Sequence, residues 1–264
     1  MRTGSADYVQ SLERGLSVIK AFDADHQELT LSEVAARAGL TRAAARRFLL
    51  TLETLGYVRS NGRKFSLRPQ ILELGHAYLS ALTIPDVALP YLEHLANQTG
   101  TASSVSVLEN KDIVYVARVA TRRIMSVNIH VGTRFPAVST SMGRAMLAFL
   151  PQRELDVFLE DVEFTAFTEK SITDMDSLRA ELANVRKLGY CVIDQELELG
   201  LYAVAVPIMG ADRRPLAALN VSFPSFTGDV KPMVADLIQP LTQHARAIER
   251  DLLVVGTGSP VVLS

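Results

Sequence analysis

Five basic side chains, Arg42, Arg46, Arg47, Arg63 and Lys64, crowd one short stretch of the chain. Guanidinium and ammonium groups spaced this way neutralise phosphates, and arginine also reads guanine edges in a major groove. From 41 to 68 there are seven Lys or Arg against a single acid, Glu53. A second constellation is Ser139-Thr140-Ser141 with Arg134 upstream. A helix opening there offers unpaired amides to an anion, and an arginine can fork onto a carboxylate. Nucleophilic chemistry at Ser141 or Cys191 is the third possibility. No Gly-x-Ser-x-Gly elbow, phosphate-binding loop or dinucleotide fingerprint supports it. His26, His76, His94, His130 and His244 lack metal-ligand spacing, so no catalytic residue, metal or cofactor is expected.

The basic residues need elements to hold them. Thr30 and Glu33 form a capping-box pair that starts one helix, and Gly39 stands where that helix should end. Thr41 suits the N-cap of a second helix. In it Ala45, Phe48, Leu49, Leu52 and Leu55 follow the i, i+3, i+4, i+7 rule, with Arg46 and Arg47 off the stripe, Arg42 at its edge, and Ala43 and Ala44 keeping the approach flat. Asn61-Gly62 between two β-rich runs predicts a hairpin with a type I′ turn, its tip basic through Arg63 and Lys64. Helix, turn, basic helix and basic hairpin is the order of a winged helix-turn-helix. Its expected nucleic-acid face is Ser32, Thr41, Arg42, Ala43, Arg46, Arg47, Arg63 and Lys64. N-terminal residues of such a second helix reach base edges.

Composition is that of an ordinary globular protein, with 48% hydrophobic and 21% charged residues among 264. Residues 1–80 carry 11 basic and 8 acidic side chains, about +3, and the remainder about −5. One cysteine rules out an internal disulfide framework. With no signal-peptide pattern at the N-terminus and no apolar run of membrane-spanning length, the expected location is the cytoplasm, with no membrane partner.

The periodicities predict an α+β chain. A helix over 9–22 puts Val9, Leu12, Leu16, Ile19 and Phe22 on one face. The expected domains are a winged helix-turn-helix over 8–68, a linker helix over 69–83, an effector domain over 84–252 and a disordered tail over 253–264. Within the effector domain, strands are expected at 103–109, 113–119, 125–131, 201–209 and 216–223. Helices are expected at 85–98, interruptible at Pro90, and at 141–150, 153–159, 175–188 and 230–252. Strands, helices, strands and a terminal helix imply an antiparallel sheet flanked by helices.

Together these residues resemble the IclR family of bacterial transcription regulators over nearly the whole chain. The most specific marks are Val131-Gly-Thr-Arg-Phe-Pro-Ala137, Thr140-Ser-Met-Gly-Arg-Ala-Met-Leu-Ala148, Gly189-Tyr190 and Asp194-Gln-Glu-Leu-Glu-Leu-Gly200. The last two, with Ala205-Val-Pro207 and Ala218-Leu-Asn-Val-Ser222, are similar to the branch controlling aromatic-acid breakdown through protocatechuate and β-ketoadipate. The resemblance implies an N-terminal winged helix-turn-helix, a GAF-like effector domain, a homodimer or tetramer, double-stranded operator DNA as partner and a small organic acid as effector. Carried over by motif, it implies effector contacts at the amides of Ser141 and Met142, at the strand residues Asn220 and Ser222, and at the wall positions Tyr202 and Ala203. Many members carry a basic residue where Tyr202 stands and a small polar one where Ala203 stands, so an aromatic or semi-apolar ligand near Tyr202 is the expectation here.

Each constellation has a plainer reading. Ser139 to Ser141 would be an ordinary helix cap, and Arg134 a surface arginine. The alternating Asp194, Glu196 and Glu198 read better as a salt-bridge set or solvated edge than as acid/base pairs. Cys191 reads as a small buried residue. Three functions follow: a ligand-responsive regulator of catabolic genes, a hydrolase using Ser141 or Cys191, and an architectural DNA-binding protein without effector. The first accounts for both the basic head and the size of residues 100–250.

Overall fold

The structure is a computed structural model that describes residues 8–23, 25–74, 83–120, 129–224 and 230–255. The chain divides into two compact units, residues 1–80 and 81–264.

The first unit contains α1 (Gln10–Lys20), β1 (Leu29–Thr30), α2 (Leu31–Arg37), α3 (Arg42–Thr54), β2 (Val58–Ser60) and β3 (Lys64–Leu67). Its three short strands lie in the order β1-β3-β2, all antiparallel. Local chemistry sets the helix boundaries. The Thr30 hydroxyl accepts from the Glu33 amide at 3.4 Å, and Glu33 Oε2 accepts from the Thr30 amide at 2.7 Å. Gly39 takes φ 66° after α2, and Thr41 Oγ1 caps α3 by accepting from the Ala44 amide. Val18, Ala21, Phe22, Leu29, Val34, Leu49, Leu52 and Val58 make the core.

Three expectations change in this unit. The predicted α1 stripe is only partly inside: Phe22 is buried and Ile19 packs against the core, but Val9, Leu12 and Leu16 are exposed, and Val18 and Ala21, outside the stripe, are buried. Leu55 follows the last turn of α3 and is exposed. The hairpin tip is not type I′. The Asn61 amide donates to Lys64 O, so Gly62 and Arg63 are the central residues. Of these only Gly62 has positive φ, 89°, as at the first centre of a type II′ turn. Asn61 has another task, its Oδ1 accepting from the Arg63 and Lys64 amides. Pro69 opens a 3-10 turn, Pro69–Leu72, and most of the expected linker helix lies outside the described residues.

The second unit has α4 (Thr83–Thr99), β4 (Ala102–Glu109), β5 (Asp112–Val119), β6 (Arg134–Pro136), α5 (Ser141–Leu147), α6 (Gln152–Leu159), α7 (Met175–Leu188), β7 (Cys191–Asp194), β8 (Leu201–Met209), β9 (Pro215–Pro224) and α8 (Lys231–Val255). The strands form one antiparallel sheet in the order β6-β5-β4-β9-β8-β7. Strand alternation feeds two cores. On β9, Leu219, Val221 and Phe223 pack with α4 and α8, whereas Ala218 packs with α5, α6 and α7. Asn220 and Ser222 share the second face with Ala218. Helix α4 runs through Pro90 without a break. The strands β6 and β7 were not expected. The strand expected at 125–131 falls mostly outside the described residues, and 129–131 is not strand. Residues 253–255 belong to α8; the rest of the expected tail lies outside the described residues.

Candidate functional site

On the first unit, Ser32, Thr41, Arg42, Ala43, Arg46, Arg47, Arg63 and Lys64 are all exposed. The buried positions of α3 are Ala45, Leu49 and Leu52, which turns Arg42, Arg46 and Arg47 outward. None of the five basic residues forms a salt bridge among the described residues, whereas Arg37 is tied to Asp23 and to Ala21 O. The candidate face is therefore a set of uncommitted cations on a capped helix and a hairpin tip.

In the second unit a cavity of about 30 Å³ lies between the sheet and the start of α5. Ser141, Met142, Ala203, Asn220 and Ser222 line it together. Ser139 and Thr140 of the expected helix opening line it too, and the structure adds Tyr115, Ile129, Ile193, Leu197 and Leu201, which were not singled out for this role in the sequence. Helix α5 is held tightly over it. Thr140 Oγ1 accepts from the Gly143 amide, and a Cβ on Gly143 would stand 2.0 Å from Ala137 O. Every residue of α5 is buried, including Arg144. Its guanidinium meets the Glu196 carboxylate bidentately at 2.8 and 2.6 Å and donates to Val138 O at 2.6 Å. Glu196 Oε2 also accepts from the Ile172 amide. This satisfied pair ties α5 to the segment 195–200, which supplies the wall residue Leu197. Asp194 pairs with Lys170, so the alternating acids are in part a salt-bridge set. Polar atoms remain on the cavity face of the sheet: Ser106 Oγ, Asn220 Oδ1 and Ser222 Oγ are buried without a hydrogen-bond partner.

Known proteins agree with both units. The model of the IclR helix-turn-helix domain matches residues 11–62, and that of the bacterial transcriptional regulator IclR C-terminal domain matches residues 76–250. The chain belongs to the IclR family. The Pca regulon regulatory protein of Pseudomonas putida is 46% identical over 221 residues, 83% of this chain and 76% of that protein. The p-hydroxybenzoate hydroxylase transcriptional activator of Acinetobacter baylyi is 35% identical over 253 residues, covering 94% and 93%. Among solved structures, a transcriptional regulator from Rhodococcus sp. RHA1 superposes with TM-score 0.85 at 51% identity, covering 94% of this chain and all of that one. An IclR homologue from Microbacterium hydrocarbonoxydans, complexed with 4-hydroxybenzoate, gives 0.80 at 26% identity, covering 92% and 99%.

This IclR-family chain is a DNA-binding transcriptional regulator, as its relatives are, and not an enzyme. Burial pushes the Cys191 thiol pKa up.

Two residues expected at the effector site stand elsewhere. Arg134 is on the edge strand β6, outside the cavity lining, with its guanidinium paired to Glu109 and, at 3.1 Å, to Asp112. Those acids raise its pKa against the opposing effect of burial. Tyr202 faces away. Successive β8 side chains alternate, so with Ala203 in the lining, Tyr202 joins the opposite core. There it stacks on Phe223 at 5.8 Å and accepts from Gln195 Nε2 at 2.7 Å. The aromatic wall of the cavity is Tyr115, whose phenol pKa burial raises to about 12.

Proposed function

We propose that this regulator controls catabolic genes in response to a small aromatic or keto/dicarboxylic acid, bound in the cavity under α5. The carrying observation is the cavity itself, which pairs apolar walls (Ile129, Met142, Ile193, Leu197, Leu201) with a buried polar strip at Asn220 and Ser222. The names of the Pca and p-hydroxybenzoate relatives, and the hydroxybenzoate in the Microbacterium homologue, favour an aromatic acid or its ring-opened product. At about 30 Å³ the cavity holds one or two waters. Seating a ring therefore requires flexible walls such as Met142 and Leu197 to shift, so that acid binding and rearrangement of the domain are one event.

Operator DNA is proposed to lie against α3 and the β2–β3 tip, with Arg42, Arg46, Arg47, Arg63 and Lys64 on phosphates and base edges, and Ser32, Thr41 and Ala43 within the contact. A homo-oligomer working in the cytoplasm is part of the reading. The exposed apolar run Tyr8, Val9, Leu12 and Leu16 on and before α1 supports self-association, and paired heads would engage half-sites about one helical turn, or a multiple, apart. The test is a thermal-shift screen of aromatic and dicarboxylic acids, followed by operator gel shifts with each hit. A hit that changes operator affinity is expected; stabilisation by none of the acids would overturn the effector reading and leave DNA binding standing.

A further inference from the structure

On the cavity face of the sheet, three residues after Tyr115 of the lining, stands a half-buried charge that no salt bridge neutralises among the described residues. In register, Asn220 of β9 lies opposite Ser104 of β4, and Ser104 lies opposite Arg118 of β5. A β-bulge puts Arg118 on this face. Val105 pairs with Ala117 and Ser106 with Tyr115, so Val116 is an extra residue. Tyr115 and Arg118, three apart, thereby share the side occupied by Ser104 and Asn220. Arg118 Nη1 donates to Ser104 Oγ at 3.0 Å. Its Nε is buried and bonds nothing, and no salt bridge reaches it among the described residues. Burial pulls its pKa down, with only Tyr115 among the described residues acting against it.

The contrast with the other arginines is informative. Arg144 is buried and fully paired, and Arg134 is exposed and doubly paired. A desolvated guanidinium without a counter-charge destabilises the fold around it, and residues kept at such a cost cluster where a ligand completes them. Four groups on this face await partners: Arg118 Nε, Ser106 Oγ, Ser222 Oγ and the Asn220 amide, which can present either its oxygen or its nitrogen. Ser106 and Ser222 hydroxyls can donate. Neighbouring strands are about 4.8 Å apart, and Arg118 already reaches the strand between it and Asn220.

We propose that Arg118 is the counter-charge for the effector's carboxylate, clamping it against the Ser104–Asn220 strip while the apolar body lies toward Ile193 and Leu201. This rests on the cavity reading above and makes it specific: the ligand class is an organic carboxylate with a compact apolar body, and its neutral isosteres bind more weakly. Arg118 takes the role that sequence assigned to Arg134.

Titration calorimetry with 4-hydroxybenzoate, protocatechuate and adipate, and with neutral 4-hydroxybenzamide, tests it on the full-length protein, Arg118→Gln, Arg118→Lys and the cavity-filling Ala203→Phe. Arg118→Gln should weaken the carboxylates about 10- to 100-fold, the scale of a lost charge-assisted hydrogen bond, and leave the amide's weaker uptake unchanged. Arg118→Lys, which keeps the charge without the fork, should fall between. Without ligand, Arg118→Gln should melt at or above the wild-type temperature, because no internal ion pair is broken; a merely structural arginine would lower it. Carboxylate affinity within about twofold of wild type in Arg118→Gln, with binding abolished by Ala203→Phe, would overturn the Arg118 assignment alone. Carboxylates that bind wild type and Ala203→Phe equally would overturn the cavity. Wild-type protein that takes up none of the acids would overturn both.

Discussion

The two units hold their working residues in opposite ways. In the first, the candidate side chains project from an element whose core is elsewhere: α3 buries Ala45, Leu49 and Leu52 and leaves Arg42, Arg46 and Arg47 unattached. In the second, the candidate residues are themselves core, as Ser141, Met142, Asn220 and Ser222 are all buried. The head can therefore change its contacts without changing its stability. The cavity cannot, because each side chain proposed to bind there is also part of the core.

Substitutions can break that comparison. The largest effect is expected from Glu196→Gln, which strands the buried Arg144 guanidinium and should cost about 3–5 kcal/mol in urea denaturation; a loss below about 1 kcal/mol would show that α5 does not depend on the pair. Gly143→Ala comes next. Its methyl collides with the Ala137 carbonyl, so about 1–3 kcal/mol should go together with acid binding, because the same turn carries Ser139 and Thr140 to the cavity. Retained acid affinity in this variant would separate packing from binding. In the head, Thr30→Ala should cost about 1 kcal/mol through loss of the capping box with little change in operator contacts. Arg46→Ala and Arg47→Ala should shift stability by less than about 0.5 kcal/mol, while each lowers operator affinity and cuts the salt slope by about one. Operator binding unchanged across a salt titration would remove these residues from the interface. The smallest effect is Tyr202→Phe, which loses the hydroxyl's hydrogen bonds with Gln195 and Asp194, about 1 kcal/mol, and leaves acid affinity alone.

The same contrast decided what could be read in advance. The capping box at Thr30 and Glu33, the Thr41 cap and the left-handed Gly39 and Gly189 depend on partners within a few residues, and so are written locally. The pattern of α3 was legible because one face is wet. Helix α5 has no wet face, so its seven buried residues give no period, and the partner of Arg144 lies 52 residues away. Arg134 was misplaced because its motif says nothing of Glu109 and Asp112, which meet it only across the β4–β5 turn. Tyr202 and Ala203 were both put in the lining, though adjacent strand residues face opposite sides. The α1 stripe was legible as a period, but the period does not say that Val9, Leu12 and Leu16 stay exposed.

Val116 has a consequence for comparing relatives. Removing it would close the ladder and keep each pairing on either side, Val105 with Ala117 and Ser106 with Tyr115. A homologue one residue shorter here would thus keep its counterpart of Arg118 on the cavity side. The gap belongs at this position in any alignment. Placed a few residues later, it would match the arginine to a residue on the wrong side of the sheet.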